Sequence, residues 1–290
     1  MLINYLKIAA RNLRKKLGYT LVNIFGLTTG ITSCLLLLLF VQDEWSYDKF
    51  HTDSDKIYRV AGSHKQGGAE RNRSANITYL FAPELSAVSG IEKWTRLIPN
   101  NGLVRRNEKV FQEDDLLVAD STFFEVFSFP LVEGQPSAVL DRVNTAVISE
   151  SMAAKYFGNE NPVGESLELD DFVLEITGLM EDFPSNSHFH ADMIISQATV
   201  LSSYPAWVAN NKGGTSHYTY VKLEEEADVN LIQKNLKSVV ERWYDFDDPP
   251  EYFLQPLESI HLTSNLSGEL APNGDMLYTY IFLSVAFLIL

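Results

Sequence analysis

From Leu17 to Gln42 the chain runs for 26 residues without one Asp, Glu, Lys or Arg. An α-helix rises about 1.5 Å per residue, so such a run covers the roughly 30 Å hydrocarbon core of a bilayer. Tyr19 on one flank and Trp45 and Tyr47 on the other place amphipathic rings where a membrane interface favours them. Five basic residues (Lys7, Arg11, Arg14, Lys15, Lys16) and no acid precede the run, and everything after it carries 18 basic against 38 acidic residues. That step in charge predicts a cytoplasmic N-terminus and export of the acid-rich body. A cleaved signal would show a shorter apolar region, about 7–15 residues, and a small-x-small cleavage site before Asp43. Neither is present, so 19–42 reads as a retained transmembrane helix rather than a signal or a buried soluble helix.

The flanking segments extend this picture. Leu2, Leu6, Ala9, Leu13 and Leu17 form a helical stripe with Lys7, Arg11 and Arg14 beside it. Residues 1–18 are therefore expected as a cytoplasmic amphipathic helix lying on anionic headgroups, with a solvated basic lead-in as the equal alternative. At the other end Met276–Leu290 is uncharged and strongly apolar but only 15 residues long, short of a span. It is expected to be the start of a second transmembrane helix in a longer polytopic protein. The formal net charge of −15 argues against nucleic acid as a partner, since a phosphate backbone demands clustered Lys and Arg. The single Cys34 lies inside the apolar run, which rules out an intrachain disulfide or a cysteine-cluster metal site.

Residues 43–275 read as mixed strands and helices. Strands are expected at Lys56–Ala61, Ile91–Ile98, Thr145–Ile148, His217–Leu223 and Tyr252–Leu257, the last at a sheet edge because of Pro256. Hairpins are expected at Gly102–Gln112 around Asn107, and across Asp170-Asp171 between Ser166–Leu169 and Phe172–Leu179. A short helix covers Tyr79–Val88, and Asp120 or Ser121 caps another that contains Phe123, Phe124, Val126 and Phe127. Ser149 caps a helix that stops at Gly158. Asp228 caps a helix with Val229, Ile232, Leu236, Val239, Val240 and Trp243 on one face. Segment 199–216 is expected as a loop. Strand–helix pairs near both ends with β-rich sequence between them predict an α+β domain carrying an insertion.

No catalytic, cofactor-binding or metal residues are assigned. The phosphate-binding G-x-x-x-x-G-K-[ST] loop, G-x-S-x-G and H-E-x-x-H are all missing. His188 and His190 are two apart, but without further ligands a structural role is expected. Asp182 reads as a turn residue bonding its own backbone, and Phe123–Phe129 as core packing rather than a substrate groove. Glu224–Glu226 reads as a solvated turn. Gly134, Gly158, Gly164 and Gly178 read as positions that need special backbone geometry.

The run Phe123-Phe124-Glu125-Val126-Phe127-Ser128-Phe129-Pro130-Leu131, followed by Gly134, resembles the FF-x-VF-x-FPL-x-x-G signature of MacB-like extracytoplasmic domains. Thr145–Ser149, then Ala153–Gly158 with its Phe157-Gly158 pair, then Pro162 and Gly164, resemble the family's strand, helix and turn. Gly178 and the stretch Asp182, Pro184, Asn186, Ser187, His188, Phe189 are similar to its D-x-P-x-N-S-H-F segment, and Pro256–Leu262 to its closing segment. The resemblance spans essentially the whole chain, in family order, and points to a MacB/FtsX-like ABC-transporter permease of the type common in Bacteroidota. It implies a bacterial inner-membrane protein whose residues 43–275 are periplasmic. That domain would have two lobes: a porter-like lobe at about 55–115 and 190–265, and an inserted β-rich lobe at about 116–189.

The resemblance also implies partners: a separate ABC-type ATPase subunit that binds the ATP, a second permease copy forming a dimer, and the lipid bilayer. A periplasmic or outer-membrane protein is a further candidate. The function implied is non-catalytic, coupling cytoplasmic ATP hydrolysis to extracytoplasmic movement for export or mechanotransmission. Peptides, lipids, lipoproteins and hydrophobic drugs are all compatible cargoes. The residues alone also admit the sensory ectodomain of a two-helix receptor, which likewise sets an acidic domain between two spans. A membrane-tethered hydrolase would need a convergent catalytic site that these residues do not offer.

Overall fold

A computed structural model describes residues 2–64, 72–203, 216–244 and 248–289. The chain divides into two compact units, Met1–Ser46 with Gly274–Leu290, and Tyr47–Asn273.

The first unit is helical. α1 (Leu2–Lys15) leads into α2 (Leu17–Ser46), a helix of 30 residues in which only Cys34 and Val41 are buried. So much exposed apolar surface is unfavourable in water and fits lipid. α2 is the one described helix long and apolar enough to cross a membrane. The terminal helix, Met276–Ile289, is equally apolar but has 14 residues. Asp275 caps it by accepting a hydrogen bond from the Leu277 N–H at 2.7 Å. Phe282 meets Phe40 edge-on at 5.2 Å, and Ala286 packs at Cys34.

The second unit is an α+β domain. In order it holds β1 (Ile57–His64), β2 (Asn72–Ser74), β3 (Ile77–Thr78), β4 (Ile91–Arg106), β5 (Lys109–Ala119), α3 (Phe123–Val126) and β6 (Leu131–Glu133). There follow β7 (Thr145–Ser149), α4 (Glu150–Phe157), β8 (Ser166–Leu169), β9 (Phe172–Met180), β10 (Met193–Ser196) and α5 (Gln197–Ser203). It closes with β11 (Ser216–Leu223), α6 (Val229–Trp243), β12 (Glu251–Pro256) and α7 (Ile260–Thr263). The strands run in the order β12-β1-β11-β4-β5-β10-β7-β9-β6, antiparallel except for β5–β10 and β7–β9. The first and last strands of the domain are therefore neighbours, and the chain enters and leaves at adjacent positions of one sheet.

Local chemistry explains most of these elements. β7 is buried at every position, as a run of Thr145-Ala146-Val147-Ile148-Ser149 between two partners requires. Ser149 accepts from the Met152 N–H and starts α4, and Gly158 ends it at φ 67°. Asp228 accepts from Asn230 and Leu231 N–H groups, and α6 buries Ile232, Leu236, Val239 and Val240. β12 pairs only with β1, so Pro256 does stand on an edge strand.

Several expectations are corrected. Tyr79–Ala87 is a 3₁₀-helix, since Pro83 inside it can supply no N–H for an i→i−4 ladder. Ile91–Arg106 is one strand, with a register shift between Asn100 and Gly102 that accommodates the residues read as a break. Neither Asp120 nor Ser121 caps α3. Its cap position is Thr122, while Asp120 turns to the buried Arg96 and accepts at 2.9 and 2.6 Å. Within the expected loop 199–216, Thr199–Ser203 belongs to α5 and Ser216 to β11, and 204–215 lies outside the described residues.

Three large apolar clusters and a small one at Ala61, Ala75 and Leu266 fill the domain. α6 and the Tyr79–Ala87 turn cover Val60, Val221 and Tyr252. α4 covers Ile148, Leu174 and Ile176. An aromatic cluster of Phe123, Phe124, Phe127, Phe129, Phe189 and Tyr220 joins Leu257 and Ile260.

Gly134 has φ 113°, and an added Cβ would lie 2.6 Å from the Val139 side chain. Gly158 has φ 67° with nothing within 4 Å. Both Gly→Ala changes meet a strained backbone, costing about 1–3 kcal/mol. Gly134→Ala adds overpacking of about 1–3 kcal/mol more. Urea unfolding should rank Gly134→Ala clearly below Gly158→Ala.

Candidate functional site

The segment that follows α2 docks directly into the aromatic cluster. Asp48, two residues past Ser46, has no solvent exposure and adopts φ 59°. Its N–H donates to the Asn186 carbonyl at 2.9 Å, and its Oδ1 accepts from the His188 N–H at 3.1 Å. The His188 ring lies between Asp48 Oδ1, 2.8 Å from Nδ1, and the Tyr220 hydroxyl, 2.7 Å from Nε2. Carboxylate oxygen only accepts, so Nδ1 donates to Asp48, while Nε2 shares a hydrogen bond with the Tyr220 hydroxyl. His51 is also buried, its Nδ1 accepting from the Ser128 N–H at 3.2 Å, with its ring edge-on to Phe129 at 4.8 Å. Tyr47 stacks flat on His261 at 3.4 Å.

The segment that leads toward the terminal helix is held by a second buried charge. Arg59, in the middle of β1, has no solvent exposure. It donates to both carboxylate oxygens of Glu269, to Gln255 at 2.7 Å and to Ser264 at 3.1 Å. Ser264 in turn donates to Glu269. The Tyr218 hydroxyl donates to the Gly268 carbonyl at 2.8 Å, the Ala75 N–H to the Ser267 carbonyl at 2.9 Å and the Ser267 N–H to the Arg73 carbonyl at 2.9 Å.

These surroundings shift protonation. Burial lowers His51 from its ordinary 6.5 to about 4, against the pull of Asp48. Burial pushes the Glu269 carboxyl up, but hydrogen bonds from Arg59 and Ser264 and the Arg59 charge outweigh it and hold the group below its usual range. Burial raises the Tyr220 hydroxyl far above its usual value, so it remains a donor at any physiological pH.

The residues singled out in the sequence fall into two sets. Phe123, Phe124 and Phe127 form the wall against which the post-α2 segment packs, and Asn186, Ser187 and His188 meet that segment on its other side. Pro184 accepts from the Ser187 N–H at 3.2 Å and sets the turn that presents them. The others form a framework away from it. Gly134 and Gly178 permit close packing at Val139, and Pro130 accepts from the Glu181 N–H. Phe157 lies beneath the Arg106 guanidinium at 3.9 Å. Gly158, Gly164 and the buried Pro162 shape the turn after α4.

Asp182 differs from expectation: it accepts from the Ser151 N–H at 2.9 Å and from the Ser151 hydroxyl, supporting the first turn of α4 instead of its own backbone. His190 is exposed and away from His188's partners, and among the described residues no cluster of three metal-ligating side chains occurs. Asp48, His51, Arg59, Tyr220 and Glu269 were not found from the sequence. The one available signal was Arg59, a charge set in the otherwise apolar-facing strand Ile57–Ala61.

Among the described residues the arrangement shows no nucleophile with a base and no open acid–base pair; its polar groups anchor two connections to one sheet. An α+β domain that follows a helix of bilayer length in sequence fits a membrane protein with an extracytoplasmic domain. Residues 20–239 match the MacB-like periplasmic core domain, and the chain belongs to that family. It is 24% identical over 186 residues to the macrolide export ATP-binding/permease protein MacB of Marinobacter nauticus, a match covering 61% of this chain and 28% of that relative. The chain thus spans under a third of the length of that curated relative.

Among solved structures it resembles a domain of a putative permease protein from Porphyromonas gingivalis (TM-score 0.60, 23% identity, covering 80% of this chain and 98% of that one). It also resembles the periplasmic region of MacB from Actinobacillus actinomycetemcomitans (TM-score 0.52, 19% identity, 71% and 91%). These likenesses establish the fold.

Two predictions follow from the buried charges. Unfolded, His51 takes a proton near pH 6.5; folded, it does so only near 4. Acidification through this window therefore favours the unfolded chain, by up to about 3 kcal/mol. His51→Asn, which keeps an acceptor for the Ser128 N–H, should flatten that limb of a pH–stability curve. Arg59→Met, leaving Glu269 buried without its partner, should cost about 3–5 kcal/mol in chemical unfolding, with most of the loss recovered on adding Glu269→Leu.

Proposed function

We propose that the chain serves as a non-catalytic permease subunit of an ABC transporter, converting ATP hydrolysis by a separate cytoplasmic ATPase into movement of a periplasmic domain. The observation that carries this reading is a helix of bilayer length, α2, running straight into a domain of the MacB-like family. The five basic residues before it, and their replacement by net acidity after it, support a cytoplasmic N-terminus in the inner membrane and a periplasmic location for 43–275. On this reading α1 lies at the cytoplasmic leaflet and the terminal helix sits in the membrane beside α2.

On the family resemblance, the domain divides into a porter-like lobe, about 55–115 and 190–265, and an inserted β-rich lobe, about 116–189. A second permease copy completes the transporter. ATP belongs to the partner subunit, and the domain's work is mechanical, in export or in acting on a periplasmic or outer-membrane protein.

Two measurements check the proposal. In a Cys34→Ser background, Asn159→Cys should react with an impermeant maleimide on intact spheroplasts, and Lys7→Cys only after lysis. Mild cross-linking and purification from native membranes should recover an ABC-type ATPase in near-stoichiometric amount. Reversed labelling, or recovery of a histidine kinase in place of the ATPase, would overturn the assignment.

A further inference from the structure

We infer that Gln233 closes the free edge of the sheet: its carboxamide takes the place of a strand beside β12 and keeps β12 from pairing with the β12 of a second copy of this chain. The inference stands apart from the permease reading. It adds to that reading that a second copy must meet the first through another surface.

Among the described residues β12 is the last strand of the sheet and pairs only with β1. With six residues it has the length of an ordinary strand, and the outer side of such an edge is a template for another chain. That template is already occupied. Gln233 Nε2 donates to the Tyr252 carbonyl at 2.7 Å, and Gln233 Oε1 accepts from the Leu254 N–H at 2.9 Å. These two backbone groups flank Phe253 on the side away from β1, and they are the pair that a neighbouring strand would engage. Further along, Pro256 brings no N–H, and its carbonyl accepts from the Ser259 hydroxyl at 2.8 Å. Side chains thus meet the strand at 252, 254 and 256, its successive outward positions.

The residue type matters. A carboxamide carries a donor and an acceptor on one planar group, as a peptide unit does, whereas an ionised Glu would only accept and a Lys would only donate. The two backbone partners also fix which way the amide points, since the Tyr252 carbonyl needs the NH₂ and the Leu254 N–H needs the oxygen. α6 holds the side chain in place. The helix starts at its Asp228 cap and buries Ile232 and Leu236, which leaves Gln233, half-buried, at the rim of the packed face beside β12.

Bulk does not shield this edge. A cleft of about 700 Å³ opens along α6 and β12, with Lys234 and Lys237 on one wall and Glu251 and Phe253 on the other. Neighbouring strands lie only about 4.8 Å apart, so the side-chain bonds rather than steric cover close the edge. The opposite edge is blunted differently. β6 has three residues, and a register shift between Leu131 and Glu133 interrupts its pairing with β9.

Cross-linking of the full chain in detergent tests the inference. The background is Cys34→Ser with Glu251→Cys, an exposed position on β12, and the reagent is a short bismaleimide. Gln233→Met keeps a long unbranched side chain of good helix propensity and removes both bonds. The cross-linked fraction should rise several-fold over that with Gln233 in place, and should grow with protein concentration. Adding Leu254→Pro, which deletes the outward N–H and no bond to β1, should return it to the starting level. An unchanged fraction in Gln233→Met overturns the inference. So does a rise that survives Leu254→Pro, because the copies would then meet through another surface.

Hydrogen exchange on the chain with Gln233 in place gives a second readout, whatever the folding of Gln233→Met. The Leu254 amide, resolved by electron-transfer fragmentation, should exchange several-fold more slowly than its sequence sets for an open chain. Exchange at the open-chain rate overturns the inference, since no bond would then hold the edge closed.

Discussion

A guanidinium buried in the centre of a strand must be met by opposite charge and by enough acceptors to use its five N–H groups, and Arg59 imposes that demand on the whole second unit. The demand is answered from far away in sequence. Glu269 lies 210 residues on, Gln255 196 and Ser264 205, and together they draw the closing segment of the domain back onto its first strand. Tyr220, opposite Arg59 on the neighbouring strand, belongs to a second network that runs through His188 to Asp48, near the point where α2 ends. Were Arg59 apolar, Glu269 would lose the charge that holds it and the closing segment its main side-chain anchor.

The sheet order makes this possible. β1 stands between β12 and β11, so the first, last and penultimate strands of the domain are side by side. Both connections therefore emerge from neighbouring strands. From β4 the sheet continues through β5, β10, β7, β9 and β6, away from the strands that carry the connections. Aromatic packing fills the intervening space: Phe123, Phe127, Phe129 and Phe189 contact one another and Tyr220, and His51 enters among them from the post-α2 segment.

The membrane imposes the other boundary condition. α2 exposes nearly its full apolar surface, which only lipid or other membrane helices can cover favourably, while the body beyond it is acidic and well packed. Family membership and this contrast agree: the MacB-like match begins at residue 20, inside α2, and ends at residue 239, inside α6.

What could be read from the residues alone is what depends on near neighbours. The uncharged run of α2, the Ser149 and Asp228 caps, the Gly158 terminator, the turns at Asn107 and Asp170 and the alternation of β9 all express forces acting within a few residues, and all stand in the structure. Where a local cue had a remote competitor it misled: Asp120 leaves its helix for Arg96, and Asp182 reaches across 31 residues to Ser151. Asp48, Arg59, Tyr220 and Glu269 carry no local signature as a group. Their meeting is decided by strand order and by the low dielectric of the interior, which gives an unpartnered charge no alternative to the one arrangement in which every partner is within reach.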